Sequence, residues 1–135
     1  YNVYGDYMPT EGEYRTVIPI FLEQYRCGEP LTITGDGEQR RDFTHVDDIV
    51  DAMMKVVKLN KWGSVYELGR GENHSINEVA EMFRFGDKPH DTPPIKYIDP
   101  IPGEVRNTLC KSELARKKLK WNPTINLKEW IKEQL

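Results

Sequence analysis

Apolar residues along the chain change spacing several times, and each change marks an element. Over Thr16 to Cys27, Val17, Ile18, Phe21, Leu22 and Tyr25 follow the i, i+3/i+4 spacing of one helical face. Thr16 is placed to cap this helix. Pro19 falls in the first turn, where backbone N–H groups lack partners, and Gly28 ends it. Leu31 to Thr34 alternates and is β-branched, Gly35-Asp36-Gly37 is a turn, and Gln39 to Phe43 is extended again, which predicts a hairpin. Asp47 to Asn60 reads as a helix with Ile49, Val50, Met53, Val56 and Val57 as its apolar stripe. Asp47 and Asp48 sit where the helix dipole favours negative charge.

Shorter elements follow. Ser64 to Leu68 reads as a strand ending at Gly69-Arg70-Gly71. Ser75-Ile76-Asn77-Glu78 is a capping box that turns Ile76, Val79, Ala80 and Phe83 inward. Met8 to Tyr14 and Phe85 to Pro94 read as loops, and Ile95 to Ile98 as a strand. Ser112 is expected to cap a helix to Leu119, and Asn126 a last helix holding Leu127, Trp130 and Ile131. Strands alternating with helices predict an α/β protein with a mainly parallel sheet. Such a sheet needs several strands and cover on both faces, and these strands are short and scattered, so the chain is expected not to complete its own sheet. The opening Tyr1-Asn2-Val3-Tyr4-Gly5 reads as a strand begun in mid-element, the expected mark of a piece of something longer.

Composition narrows the function. The 135 residues carry 22 acidic and 19 basic side chains, a formal charge of −3. A mildly acidic chain lacks the electrostatic drive for generic nucleic-acid binding. No apolar run approaches the roughly 20 residues that span a bilayer, and no secretory leader is expected. Two cysteines, Cys27 and Cys110, make neither a disulfide framework nor a metal site, which fits a reducing cytoplasm.

Several residues invite a chemical reading, each with a plainer one beside it. Gly69-Arg70-Gly71-Glu72-Asn73-His74 imitates a dinucleotide fingerprint, but His74 replaces the third glycine, and a tight strand-to-helix turn is the simpler reading. His45, His74 and His90 lack the i, i+4 placement of a helical zinc site, and His45 is expected to be a half-buried strand-end residue with a backbone partner. Arg41, at a strand end, can grip a phosphate with two N–H groups, and Arg106, on a loop after a strand, can supply a second cation to the same anion. A surface ion pair is the plainer account of the first and a solvated loop charge of the second. Asn2 and Tyr4 can hydrogen-bond a ligand or a turn.

The succession Asn-Val-Tyr-Gly, Val-Ile-Pro, Gly-Asp-Gly-Glu-Gln-x-Arg-Asp-Phe-Thr-His-Val-Asp-Asp, Val-Tyr-Glu-Leu-Gly-x-Gly-Glu and Pro-Gly-Glu-Val-Arg resembles the C-terminal part of the NAD-dependent epimerase/dehydratase family. These are extended short-chain dehydrogenases acting on nucleotide sugars, and the chain looks most like UDP-sugar 4-epimerases among them. The resemblance implies an incomplete Rossmann-type parallel sheet edge plus a small substrate-binding subdomain over residues 1–135, with the N-terminal NAD-binding part absent. It implies that Asn2 contacts substrate near the diphosphate, that Val17 and Ile18 line the nucleobase pocket, and that Ile33 lies beside base and ribose. It also implies that Arg41 and Arg106 grip the diphosphate. The family's Tyr-x-x-x-Lys pair is missing, because none of the 7 tyrosines has Lys four positions on. The resemblance therefore implies NAD for the whole enzyme but not for this chain alone. A catalytically incompetent nucleotide-sugar-binding module and a self-associating fragment are the alternatives. The expected partners are a nucleotide-diphosphate sugar and either copies of itself or a missing Rossmann half.

Overall fold

The computed structural model describes residues 1–9, 11–12, 15–60, 63–85 and 91–135. Parts of the two loops expected at 8–14 and 85–94, and His90, lie outside them. In chain order the elements are β1 (Asn2–Tyr4), α1 (Val17–Cys27), β2 (Leu31–Thr34), β3 (Arg40–Arg41), β4 (Phe43–His45) and α2 (Val46–Leu59). Then come β5 (His74–Ser75), α3 (Ile76–Glu81), β6 (Ile95–Ile98), α4 (Glu113–Leu119) and α5 (Leu127–Gln134). The described strands form three two-stranded ladders. β1 pairs with β4 and β2 with β6 in parallel, and β3 pairs with β5 antiparallel.

The expected hairpin does not form. Leu31 to Thr34 runs beside Ile95 to Ile98, and Gly35 N–H continues that ladder to the Ile98 carbonyl at 2.9 Å. Arg40 and Arg41 pair instead with Ser75 and His74. Local alternation identified the strands, but tertiary partners, not a local hairpin, take up their backbone groups. The strand expected at 64–68 joins no ladder. Tyr66 and Leu68 pack instead beside Ala52, Ala115, Leu119 and Trp121, while Val65 stays 84% exposed.

The main core is built where α1, α3 and α5 meet β2 and β4. Phe21, Phe83, Leu31, Ile33, Val79 and Ile131 are fully buried there, with Phe21 and Phe83 ring edge to face at 5.6 Å. Gly28 ends α1 in the left-handed conformation at φ 70°, which a side chain would resist. The Ser75 capping box is complete, its Oγ accepting from Glu78 N–H and the Glu78 carboxylate from Ser75 N–H. Thr16 and Ser112 precede their helices without a side-chain cap. Ser112 sits at φ 54°, and its Oγ both accepts from Gly69 N–H and donates to the Gly69 carbonyl.

α2 forms where expected but is turned about its axis. Its buried residues are Asp48 and Ala52, with Val56 and Leu59 packed beside them, whereas Val50, Met53 and Val57 of the expected inward stripe are 47–58% exposed. The cause is Asp48. Its carboxylate accepts from Thr124 N–H at 2.9 Å and Ile125 N–H at 3.2 Å, and its carbonyl from the Trp121 indole at 2.8 Å. Those bonds draw a charged residue inward and leave Val50, Met53 and Val57 facing out, while Val56 packs inward.

Candidate functional site: a cleft with a paired arginine

A cleft of about 240 Å³ opens between the start of α1, β2, β3–β4 and the segment after β6. Asn2, Arg15, Val17, Thr32, Thr34, Gln39, Arg41, Phe43, Ile76, Ile101 and Glu104 are among its walls. Strand alternation explains the division within β2. Thr32 and Thr34 face the cleft, while Leu31 and Ile33 face the core at 0% exposure. Of the residues singled out in the sequence, Asn2, Val17 and Arg41 line the cleft. Ile18, 1% exposed, and Ile33 lie in the core behind it, and Arg106 stands outside the lining.

Arg41 is held, not loose. Its side chain is 13% exposed, donates to Glu104 at 2.9 Å and to the Arg40 carbonyl at 3.0 Å. Thr34 Oγ1 donates to the other Glu104 oxygen at 3.4 Å. Residues 106–108 form a strap beside β3. Arg40 N–H donates to the Arg106 carbonyl at 2.9 Å, and Thr108 N–H to the Arg40 carbonyl at 3.0 Å. An isolated parallel bridge pairs Arg40 with Asn107, so Arg41 and Arg106 sit on adjoining segments, one on each side of that bridge along the chain. The Arg106 guanidinium forks onto Asp36 at 2.8 and 2.9 Å. That hydrogen bonding, aided by the Glu38 amide, lowers the Asp36 carboxyl to about 2 and raises Arg106. Both members of this pair are more than half exposed. Glu104 and Gln39 carried no sequence signal as cleft residues, nor did Asp36 as the partner of Arg106. Asp36 and Arg106 are 70 positions apart, so only the fold relates them.

One buried carboxylate organises this end of the molecule. Asp42 is 0% exposed and accepts from Arg70 N–H at 2.8 Å, Gly71 N–H at 3.0 Å, Cys110 N–H at 3.0 Å and Thr44 Oγ1 at 3.3 Å. Its own N–H donates to Thr108 Oγ1, which also accepts from the Asn2 amide at 3.3 Å. This knot joins β1, the strand carrying Arg41 and the strap carrying Arg106. It also decides the glycine-rich turn. The amides of Arg70 and Gly71 serve an internal carboxylate, and a Cβ at Gly69 would meet Cys110 Cβ at 2.6 Å. The Arg70 and Gly71 amides are therefore engaged internally, and this turn does not fit the dinucleotide fingerprint that it imitates.

The remaining candidates take structural roles. His45 caps α2, its Nδ1 accepting from Asp47 N–H at 3.2 Å, and it is 4% exposed, more buried than expected. His74 Nδ1 lies 3.7 Å from Glu78. Cys27 and Cys110 are unbridged, and the described residues hold no cluster of metal-ligating side chains. A larger cavity, about 530 Å³, lies elsewhere, against Tyr1, Val65, Leu109 and Leu114. These four residues are 39–84% exposed, and Glu67, Lys111, Glu113 and Lys117 share the wall with them, so it is an open surface of mixed character. Among the described residues no helix is long and apolar enough to cross a membrane.

An α/β chain with parallel ladders and a cation-bearing cleft is compatible with many α/β families. Comparison with known proteins identifies which. Residues 1–69 match the NAD dependent epimerase/dehydratase family, and the chain belongs to that family. It is 32% identical over 130 residues to the UDP-glucose 4-epimerase of Mycolicibacterium smegmatis, covering 96% of this chain and 41% of the relative. The structure of the Thermotoga maritima UDP-glucose 4-epimerase with UDP-glucose superposes with a TM-score of 0.81 at 33% identity, over 97% of this chain and 41% of that one. The Bacillus cereus UDP-glucuronic acid 4-epimerase, solved with UDP-glucuronic acid and NAD, gives 0.79 at 25% identity, over 99% and 44%. The chain thus spans about two-fifths of the length of these relatives.

Proposed function

We propose that this chain is the nucleotide-sugar-binding part of a UDP-sugar 4-epimerase, gripping the diphosphate of its substrate. The observation that carries the reading is Arg41, a guanidinium 13% exposed at the cleft wall and paired with the carboxylate of Glu104. A guanidinium that donates to a carboxylate donates to a phosphate oxygen by the same charge-assisted hydrogen bond. Arg106 reaches the same anion from the strap by exchanging Asp36 for it, and Asn2 contacts the ligand nearby. Val17 walls the base side, with Ile18 and Ile33 packed behind it. A pyrophosphate fixed at both ends keeps the sugar still while it reacts.

NAD supplies the hydride acceptor in the whole enzyme, and its site is assigned to an N-terminal Rossmann half outside these residues. Parallel strands are stable when covered on both faces, and β1–β4 has only two strands. The exposed face of α2, with Val50, Met53, Met54 and Val57, is the seat proposed for that half. The same face supports the second reading, a fragment that associates with itself. The two unbridged cysteines suit a reducing cytoplasm.

Calorimetric titration with UDP tests the reading. The chain is expected to bind, and Arg41→Ala to weaken binding at least roughly tenfold, as for loss of a charge-assisted hydrogen bond. Absence of binding, or equal binding by Arg41→Ala, overturns it.

A further inference from the structure

We propose that Arg15 is a specificity residue of the cleft, donating to the keto oxygen of the nucleobase and favouring keto bases over those bearing an exocyclic amine there. The inference rests on the nucleotide-binding reading above and deepens it. Arg15 stands just before α1 and lines the cleft beside Val17 and Ile20. One terminal nitrogen of its guanidinium pairs with Glu23 on the second turn of α1. Its Nε–H is buried and has no partner, a state shared among the described side chains only with His45 Nε2. A buried donor left unmade is costly, and a ligand acceptor that turns the guanidinium toward the cleft relieves that cost.

The chemistry of the acceptor follows from the surroundings. Glu23 already balances the Arg15 charge, so the group keeps its donors but offers little net attraction to a phosphate. Arg41, on β3, and Arg106, on the strap, are the cations suited to that anion. Beside Arg15 the wall is apolar, with Val17, Ile20 and Ile76, which suits a planar ring carrying a neutral carbonyl oxygen. A guanidinium has five donors and no acceptor. It satisfies the O4 of uracil or thymine and the O6 of guanine, but meets the amine of cytosine or adenine donor to donor. A site built around one hydrogen bond discriminates strongly against the analogue that cannot make it.

UDP and CDP differ at this position of the base and share their ribose and diphosphate, so the ratio of their affinities isolates the contact. Calorimetric titration of the 135-residue chain is expected to favour UDP over CDP by roughly tenfold or more. Arg15→Ala is expected to bring the ratio to about one by weakening UDP. The Arg15 side chain is 30% exposed and outside every core cluster, so the variant is expected to fold, and circular dichroism checks it. Equal binding of UDP and CDP by the unaltered chain, or a preference that survives Arg15→Ala, overturns the inference and leaves the nucleotide-binding reading standing. If neither nucleotide binds, the reading itself fails, and the inference with it.

Discussion

Removing the Asp42 carboxylate tests whether one buried side chain holds the candidate site together. In Asp42→Ala three backbone amides lose their acceptor. Cys110 N–H is fully buried and suffers the whole penalty, Arg70 N–H is part-buried, and Gly71 is exposed enough to recover a water. Bonds to a charged acceptor are worth about 1.5–3 kcal/mol, and a buried amide left unpaired costs about 1–3 kcal/mol. The unequal recovery brings the expected loss to about 4 kcal/mol, a large share of the roughly 5–15 kcal/mol that holds a domain folded. With a urea slope of about 1.5 kcal/mol/M the unfolding midpoint falls by roughly 2–3 M. Asp51→Ala is the control, because Asp51 is an exposed partner of Lys55 and its loss is expected to cost under about 1 kcal/mol. Urea unfolding followed by tryptophan fluorescence reads both. A midpoint shift below about 0.5 M in Asp42→Ala, or equal shifts in the two variants, refutes the account of Asp42 as the knot.

Two further outcomes follow from other residues. The Asp36 carboxyl, with Arg106 as its first cause and a value of about 2, is depressed below its ordinary 3.8. A depressed carboxyl contributes stability above its unfolded value and loses it as pH falls through the folded one, so the Asp36–Arg106 pair is expected to open between about pH 4 and 2. Carbon-detected NMR titration reads this directly, and a value that stays near 2 in Arg106→Ala contradicts the pairing. On α2, Met53→Lys with Val57→Glu places charge on an exposed face, so stability is expected to hold within about 0.5 kcal/mol, and if copies join through this face their association falls. Sedimentation velocity checks it, and an unchanged distribution shows that the face is not what joins copies.

Local physics settled much of what the chain does locally. The helix at 17–27, its left-handed stop at Gly28, the Ser75 box and the strand at 95–98 follow from spacing and end chemistry, which act over a few residues and leave a mark in the order of side chains. Arg41 was visible as a candidate because a guanidinium at a strand end has a recognisable use. Pairing was not visible. The hairpin expected at 31–43 gave way to a parallel partner more than 60 residues away, since alternation specifies a strand but not its neighbour. The stripe on α2 misled for a related reason. Periodicity finds the apolar face, while burial goes to whichever face other segments bond, and residues 121–125 bond Asp48. The sequence by itself determined the helices, most of the strands and the family resemblance, all carried by neighbours in the chain. Only the tertiary structure decided that Asp42 fills the glycine turn, that Asp36 and Glu104 hold the two arginines, and that Ile33 backs the cleft while Thr32 and Thr34 line it. Those outcomes depend on groups from distant segments competing for the same donors and acceptors, and linear order does not encode that competition.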